Sequence, residues 1–363
     1  MTTVLHVVES FSSGTLQAVR MLCWAIARET VCYVLHGDRG EGSCGKPEGF
    51  PPEVSFIPWS VGREIAPLLD YQALVALKKT VSKIQPDVIH AHSSKAGALV
   101  RIAFPFGKIP ILYSPHGYSF LRRDLKNYVR GFYWCIEWML GWVPQVTVAC
   151  GFAEYGYARS LSNQTLCLHN VIDRSTINKI LNNRETKNPK TKDLLVGTAG
   201  GIRPQKNFPL FCEVASACNG SGIRFLWIGG GEIPPSVSVP DNLEITGWVD
   251  HFTALSRLAT CDVYMQTSLW EGLSIAVIEG MALGLPVLAN PAPGNVELVF
   301  NDKNGYLCDS VNQFVTHLQS LHQNRETLRK LSIASRDFVE QEFSVQHLAP
   351  KWLNLYQKCT HDQ

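Results

Sequence analysis

The segment TSLWEGLSIAVIEGMALGLPVLAN (267–290) holds two carboxylates eight residues apart, Glu271 and Glu279, with Ser274 between them. The loop LWEGL gives way to the apolar run IAVIEGMAL at Ser274, which makes Ser274 a candidate helix N-cap. Amides at a helix start, here those of Ile275 and Ala276, lack partners inside the helix and carry partial positive charge, which suits a phosphate. At about 1.5 Å per residue Glu279 lies several ångströms further along, where a nucleoside sugar's hydroxyls would fall. Glu271, in the loop, could reach hydroxyls on the other side. Two glutamates at this spacing are more often a solvated loop acid and a helix-surface acid. Glu279, however, sits among Ile275, Ala276, Val277, Ile278, Met281, Ala282 and Leu283, and a charge there needs a partner, for which a ligand hydroxyl would serve. His90 and His92 in HAHSS share one strand face with no third ligand evident, so a packed pair is expected rather than a metal site.

These residues need α/β elements to hold them. Short apolar runs alternate with helical patterns: VLHVVES, a helix over 15–28, CYVLHG, a helix over 67–84, DVIHAHS and PILYSPHG. The pattern restarts with LLVGTAGG, a helix near 207–218, RFLWIGGG, LEITGWV, DVYMQTS, a helix near 274–283, and PVLANPAPG. Alternation of this kind implies parallel sheets, here in two units. The polar stretch from Asp173 to Asp193 marks the boundary, giving an N-terminal domain over 1–172, a second over 173–345, and a C-terminal helix over 346–363 packing back on the first. A length of 363 residues suits two such domains with a cleft between them.

Composition excludes several classes. Lys plus Arg total 33 against 31 acids, so a net charge of +2 supplies no broad attraction to nucleic acid. No apolar run approaches the roughly 20 residues of a membrane helix, and MTTVLHVVES has no basic n-region before an apolar one, so a soluble, unsecreted chain is expected. The 11 cysteines are scattered without a C-x-x-C pair, which fits reduced thiols better than a disulfide frame or zinc site. TAGGI (198–202) and IGGGE (228–232) lack the G-x-G-x-x-G spacing, and no P-loop occurs, which argues against a nicotinamide or flavin dinucleotide. Without a D-x-D pair, a bridging divalent ion lacks its usual ligands; no cofactor and no metal are expected.

TSLWEGLSIAVIEGMALGLPVLA resembles the E-x7-E region of the family-4 retaining glycosyltransferases, and HVVESFSSGT, HAHSSKAGALVRIA, YSPHGYSF, GGIRPQKNF, WIGGGE and ITGWV extend the likeness along nearly the whole chain. The resemblance implies the GT-B fold of two facing Rossmann-like domains, acceptor side first and nucleotide-sugar side second. It further implies a cytoplasmic enzyme of bacterial surface polysaccharide synthesis (O-antigen, capsule or exopolysaccharide) that moves a sugar from a nucleotide diphosphate, UDP foremost, to a glycan or lipid-linked acceptor. It assigns Glu279 to the ribose hydroxyls, Glu271 to the donor sugar's 3- and 4-hydroxyls, and the backbone of Gly272, Leu273, Ser274 and Ile275 to the diphosphate. Lys206 in RPQKN would neutralise that diphosphate electrostatically; the plain alternative is a solvated loop lysine. Gly14 would admit the first domain's backbone to the phosphate. His116 would face the donor sugar, Gly229 would line the donor site, and Trp248 with Val249 would contact the base, a packed core tryptophan being the alternative. One departure stands out: the arginine usual after the glycine is Gly201 here, leaving Arg203 as the candidate replacement. The rival readings are another GT-B enzyme, such as an epimerase, and a catalytically silent scaffold. The intact Glu271, Glu279 and Lys206 set weighs against both.

The segment 122–142 carries Trp134, Trp138 and Trp142 at i+4 spacing after Arg122, Arg123, Lys126 and Arg130. Two readings stand: a core helix with a basic cap, or a face docking peripherally on an anionic membrane surface.

Overall fold

In the computed structural model, residues 1–9, 11, 13–37, 49–62, 64–183 and 193–361 are described; Cys44 and the 184–192 part of the boundary stretch lie outside them. The chain divides into two compact units, Met1–Val171 with Val345–Gln363, and Ile172–Ser344.

The first unit runs β1 (Thr2–Val8), α1 (Ser13–Ile26), β2 (Thr30–His36), β3 (Ser55–Pro58), α2 (Pro67–Ile84), β4 (Val88–His92), α3 (Ser94–Ala103), β5 (Ile111–Ser114), α4 (Asn127–Leu140), β6 (Val146–Ala149), α5 (Phe152–Leu161) and β7 (Thr165–Cys167). The strands are all parallel, in the order β3-β2-β1-β4-β5-β6-β7. Strand β1 is buried on both faces, as its run Val4, Leu5, Val7, Val8 requires of a central parallel strand.

The second unit runs α6 (Arg174–Asn182), β8 (Leu194–Ala199), α7 (Phe208–Ala217), β9 (Ile223–Ile228), β10 (Leu243–Ile245), α8 (His251–Ala259), β11 (Val263–Gln266), α9 (Ile275–Ala282), β12 (Val287–Ala289), α10 (Pro293–Val296), β13 (Gly305–Leu307), α11 (Val311–Gln323) and α12 (Arg325–Phe343). Its parallel sheet has the order β10-β9-β8-β11-β12-β13. The core packs Phe208, Phe211, Phe225 and Trp227 edge to face, with ring centroids 4.9 to 5.7 Å apart. Side chains cap three helices among the described residues: Asp173 accepts from Thr176 N, Asp250 from Thr253 N, and Asn324 from Thr327 N.

The last helix, α13 (Val345–His361), belongs to the first unit. Its Leu348, Trp352, Leu355 and Tyr356 enter the core shared with α1, and Trp352 Nε1 donates to His169 O at 3.3 Å.

In each unit the order reverses beside the first strand, between β1 and β4 and between β8 and β11. Doubly wound sheets offer a crevice for ligands at the strand C-termini at that point. Both sets of sequence candidates fall there.

Candidate functional site

The second unit's crevice is built by the loops after β8 and β11. After β8 the chain turns at Gly200 and Gly201 and enters a 3-10 turn over Pro204–Lys206; after β11 the loop 267–274 leads into α9. The two loops are sewn together: Leu269 N donates to Gln205 O at 2.8 Å, and Thr267 Oγ1 to Lys206 O at 2.8 Å. Lys206 Nζ reaches Glu271 Oε1 at 2.8 Å. Gln266 Nε2 donates to Glu271 Oε1 (3.0 Å) and to Ser274 Oγ (3.1 Å), while Gln205 Nε2 donates to Glu271 Oε2 (3.2 Å).

Glu271 is therefore no solvated loop acid but a buried carboxylate held by three donors. Lys206 is likewise paired rather than solvated. Burial opposes its charge, yet the neighbouring Glu271 carboxylate outweighs this and leaves its pKa raised, so it is a fixed cation. Ser274 is the N-cap residue, but its hydroxyl takes the Gln266 amide instead of capping. That leaves the helix start open: the first bond inside α9 runs from Ile278 N to Ser274 O at 3.2 Å.

Glu279 already has a protein partner. His251 Nε2 lies 2.7 Å from its Oε1, so the partner this charge needs is present in the protein itself, where the sequence leaves a ligand hydroxyl as the candidate. His251 opens α8, placed by the Asp250 cap, and only the chain's return to this loop reveals it as a site residue.

The glycine turns after β8 and β9 allow close backbone contact. Gly229, at φ 142°, packs directly on the Gly200 carbonyl, where a Cβ would collide with backbone. A Cβ at Gly201 would stand 2.8 Å from the Trp248 ring and 3.2 Å from Arg203 Nε, so the Arg203 side chain lies beside the place left by the missing arginine. Trp248 also covers Gly230, with 52% of its surface exposed; with Val249 exposed too, the packed-core alternative for Trp248 is excluded. Another residue missed from sequence is Gly294 of α10, whose α-carbon abuts the Gly272 carbonyl and leaves no room for a side chain.

In the first unit Gly14 lies in the first turn of α1, with open space where a Cβ would project. His116, at φ 50° in the loop after β5, stacks on His92 (5.3 Å between centroids) and bonds it Nε2 to Nδ1 at 3.0 Å. Burial pulls the His116 pKa down to about 4 and those of His90 and His92 well below the usual value, so all three are neutral near pH 7. Glu154, unrecognised in the sequence, fixes this loop by accepting from Gly117 N (2.6 Å) and Cys150 N (2.8 Å). His90 and His92 do share a face, His90 meeting Tyr356 Oη (2.7 Å) and Ser114 Oγ (3.0 Å). A third histidine is nevertheless present: His6 on β1, opposite His90 in register, joins the pair within 4.8 Å.

Helix α4 does not pack as a core helix. Glu137 is its one buried residue, bonded to Arg101 at 2.8 Å and to Tyr113 Oη at 2.8 Å. Trp134, Trp138 and Trp142 are 42%, 45% and 70% exposed, together with Tyr128, Phe132 and Met139. The core reading of 134–142 is thus overturned. Trp142 lies just beyond the helix end. The basic patch is also smaller than its composition suggests: Arg122 pairs with Asp124 at 2.7 Å and Arg130 holds Phe120 O at 2.9 Å, leaving Arg123 and Lys126 as the exposed cations.

Two Rossmann-like parallel sheets, the second with a glycine-lined lysine–glutamate crevice, define the GT-B class of glycosyltransferases. The Glycosyl transferases group 1 family model matches residues 179–338, and the Glycosyl transferase 4-like domain model matches residues 13–161. The chain belongs to these glycosyltransferases. It is 24% identical over 342 residues to a UDP-Gal:alpha-D-GlcNAc-diphosphoundecaprenol alpha-1,3-galactosyltransferase of Escherichia coli, covering 83% of this chain and 82% of that one. A 41.2 kDa protein in the cps region of Klebsiella pneumoniae is 26% identical over 313 residues, covering 81% and 85%. Among solved structures, the fold is similar to sucrose-phosphate synthase from Thermosynechococcus elongatus (TM-score 0.83, 16% identity, 100% of both chains). It is also similar to Anabaena HepE in complex with UDP-glucose (TM-score 0.76, 16% identity, 99% and 100%).

Proposed function

We propose that the chain transfers a sugar, with retention of anomeric configuration, from a UDP-sugar to a lipid-linked glycan acceptor in bacterial surface polysaccharide synthesis. The observation that carries this is the Lys206–Glu271 pair beside the open start of α9. The diphosphate sits on the amides of Gly272 to Ile275, Lys206 and Arg203 balance its charge as the sugar bond breaks, and Glu271 holds the sugar hydroxyls. Glu279, oriented by His251, takes the ribose, and the base lies against Trp248 and Val249 beside Gly229. Gly14 and His116 are the first unit's contribution to donor binding. Because lysine, arginine and helix amides supply the positive charge, no divalent cation is required. The UDP and lipid-diphosphate chemistry in the E. coli relative's name supports this donor and acceptor class.

Helix α4 supports a lipid-borne acceptor. At about 100° per residue, the exposed Tyr128, Gly131, Phe132, Trp134, Cys135, Trp138 and Met139 fall on one arc of roughly 160° without a charged side chain. Such an arc next to Arg123 and Lys126 suits the headgroup level of an anionic bilayer. No helix among the described residues is long and apolar enough to cross a membrane; the attachment proposed for α4 is peripheral.

The test is a calorimetric titration with UDP, followed by NMR assignment of the product's anomeric configuration. UDP should bind the wild type and bind Lys206→Ala much more weakly; equal affinities would remove the diphosphate placement, and an inverted product would remove retention. Sedimentation with anionic liposomes should fall with salt and with the double change Trp134→Ser, Trp138→Ser. Salt-independent or absent binding refutes the membrane face.

A further inference from the structure

The core of the first unit holds a second group of chemically competent side chains, two hydrogen bonds removed from His116. Val4 pairs with Cys32 across β1 and β2, so His6, two residues along β1, points to the same side of the sheet as Cys32. Cys23 of α1 lies over that side. Ligand atoms of His6, Cys23 and Cys32 all fall within 4.8 Å of one another, and all three residues are fully buried. Among the described residues His6 Nε2 is buried with no hydrogen-bond partner of good geometry, and the ring bears on the Cys32 thiol. Its other nitrogen, Nδ1, is held by His92 Nε2 at 3.1 Å, and Cys32 Sγ is held by Thr30 Oγ1 at 3.2 Å. An imidazole fixed through one nitrogen and unpartnered at the other, facing two sulfurs with an oriented neighbour, has the outer support expected of a metal ligand set.

We infer that His6, Cys23 and Cys32 supply three of the four ligands of a site for a thiophilic divalent cation, Zn²⁺. Zinc bonds sulfur at about 2.3 Å and imidazole nitrogen at about 2.0 to 2.1 Å, which places ligand atoms roughly 4 Å apart, so the present spread requires only a small contraction. Both cysteines bind as thiolates, so any proton that Cys23 or Cys32 still holds leaves for solvent as the two Zn–S bonds form. Two thiolates, one neutral imidazole and Zn²⁺ sum to zero charge, which suits a fully buried site. The ion ties α1 to β1 and β2. Ligation at His6 Nε2 also puts the remaining ring proton on Nδ1, which donates to His92 Nε2; His92 Nδ1–H then donates to His116 Nε2, and His116 presents an Nδ1–H donor. The site stands independently of the donor reading.

The full-length chain, purified under reducing conditions without chelator, should carry close to one zinc per chain by elemental mass spectrometry. After denaturation with chelator and refolding, titration with Co²⁺ should produce a sulfur-to-cobalt charge-transfer band that added Zn²⁺ abolishes. Cys23→Ala and Cys32→Ser should lose the metal and the band, while the distant core changes Cys261→Ala and Cys308→Ala keep both. The wild-type cobalt spectrum decides the matter even if the site variants do not fold. Reduced wild type that takes up neither metal, or a Cys23–Cys32 disulfide found by mass mapping of the unreduced protein, overturns the proposal.

Discussion

Each unit contains a buried ion pair at 2.8 Å, and the two are built for opposite ends. Arg101 and Glu137 are enclosed, 1% and 4% exposed: Arg101 donates to Gly97 O and to Glu137, lies 4.2 Å over the Tyr113 ring, and Glu137's second oxygen takes the Tyr113 hydroxyl. The pair holds α4 against α3 and β5. Lys206 and Glu271 stand at loop ends with side chains 18% and 9% exposed, beside a helix start whose amides are open. A charged pair enclosed by its own unit suits packing, whereas one beside open backbone amides is what the proposed donor site requires.

Replacing a partner in each pair sharpens this contrast. Glu137→Ala strands a buried guanidinium and should cost about 3 to 5 kcal/mol, lowering the melting temperature on the order of 10 °C, while activity per folded molecule is kept. A folded variant with lost turnover would place α4 in the chemistry. Lys206→Ala should do the reverse, reducing turnover about 10²- to 10³-fold with little change in melting temperature, since Glu271 keeps its Gln205 and Gln266 donors. A large fall in stability with intact turnover would make this pair structural as well.

Acid should separate the units next. His90, His92 and His116 resist protonation in the folded first unit because they are buried, whereas in the unfolded chain they accept a proton near pH 6.5. The unfolded state then binds more protons, so the stability they allow is complete above about pH 6.5 and is lost as pH falls toward about 4. Hydrogen exchange at about pH 7.5 and about pH 5, corrected for intrinsic rates, should show the first unit losing protection before the second. Equal losses in both units would sink the assignment. The smallest effect expected is that of brief EDTA treatment on turnover, which should be none under the proposal that Lys206, Arg203 and the α9 amides supply the charge. Activity lost to EDTA and restored by Mg²⁺ or Mn²⁺ would refute that account.

Much of this molecule follows from local pattern. The βα alternation, the helix over 67–84 and the start of α9 after Ser274 rest on apolar period and end signals only a few residues long, and the structure has α2 over Pro67–Ile84 and α9 from Ile275. Glu271 and Glu279 stood out as candidates because their spacing lies within one segment, and Lys206 only through the family resemblance. What the sequence left open are relations across the sheet. Lys206 meets Glu271 65 residues later, and His251 meets Glu279 28 residues later, because β8 and β11 are adjacent at the point where the strand order reverses. The i+4 tryptophan spacing in α4 is the same for a core helix and a surface face. Glu137 decides between them, since Arg101 and Tyr113, brought from α3 and β5, give its charge a buried place and so turn the aromatic arc outward.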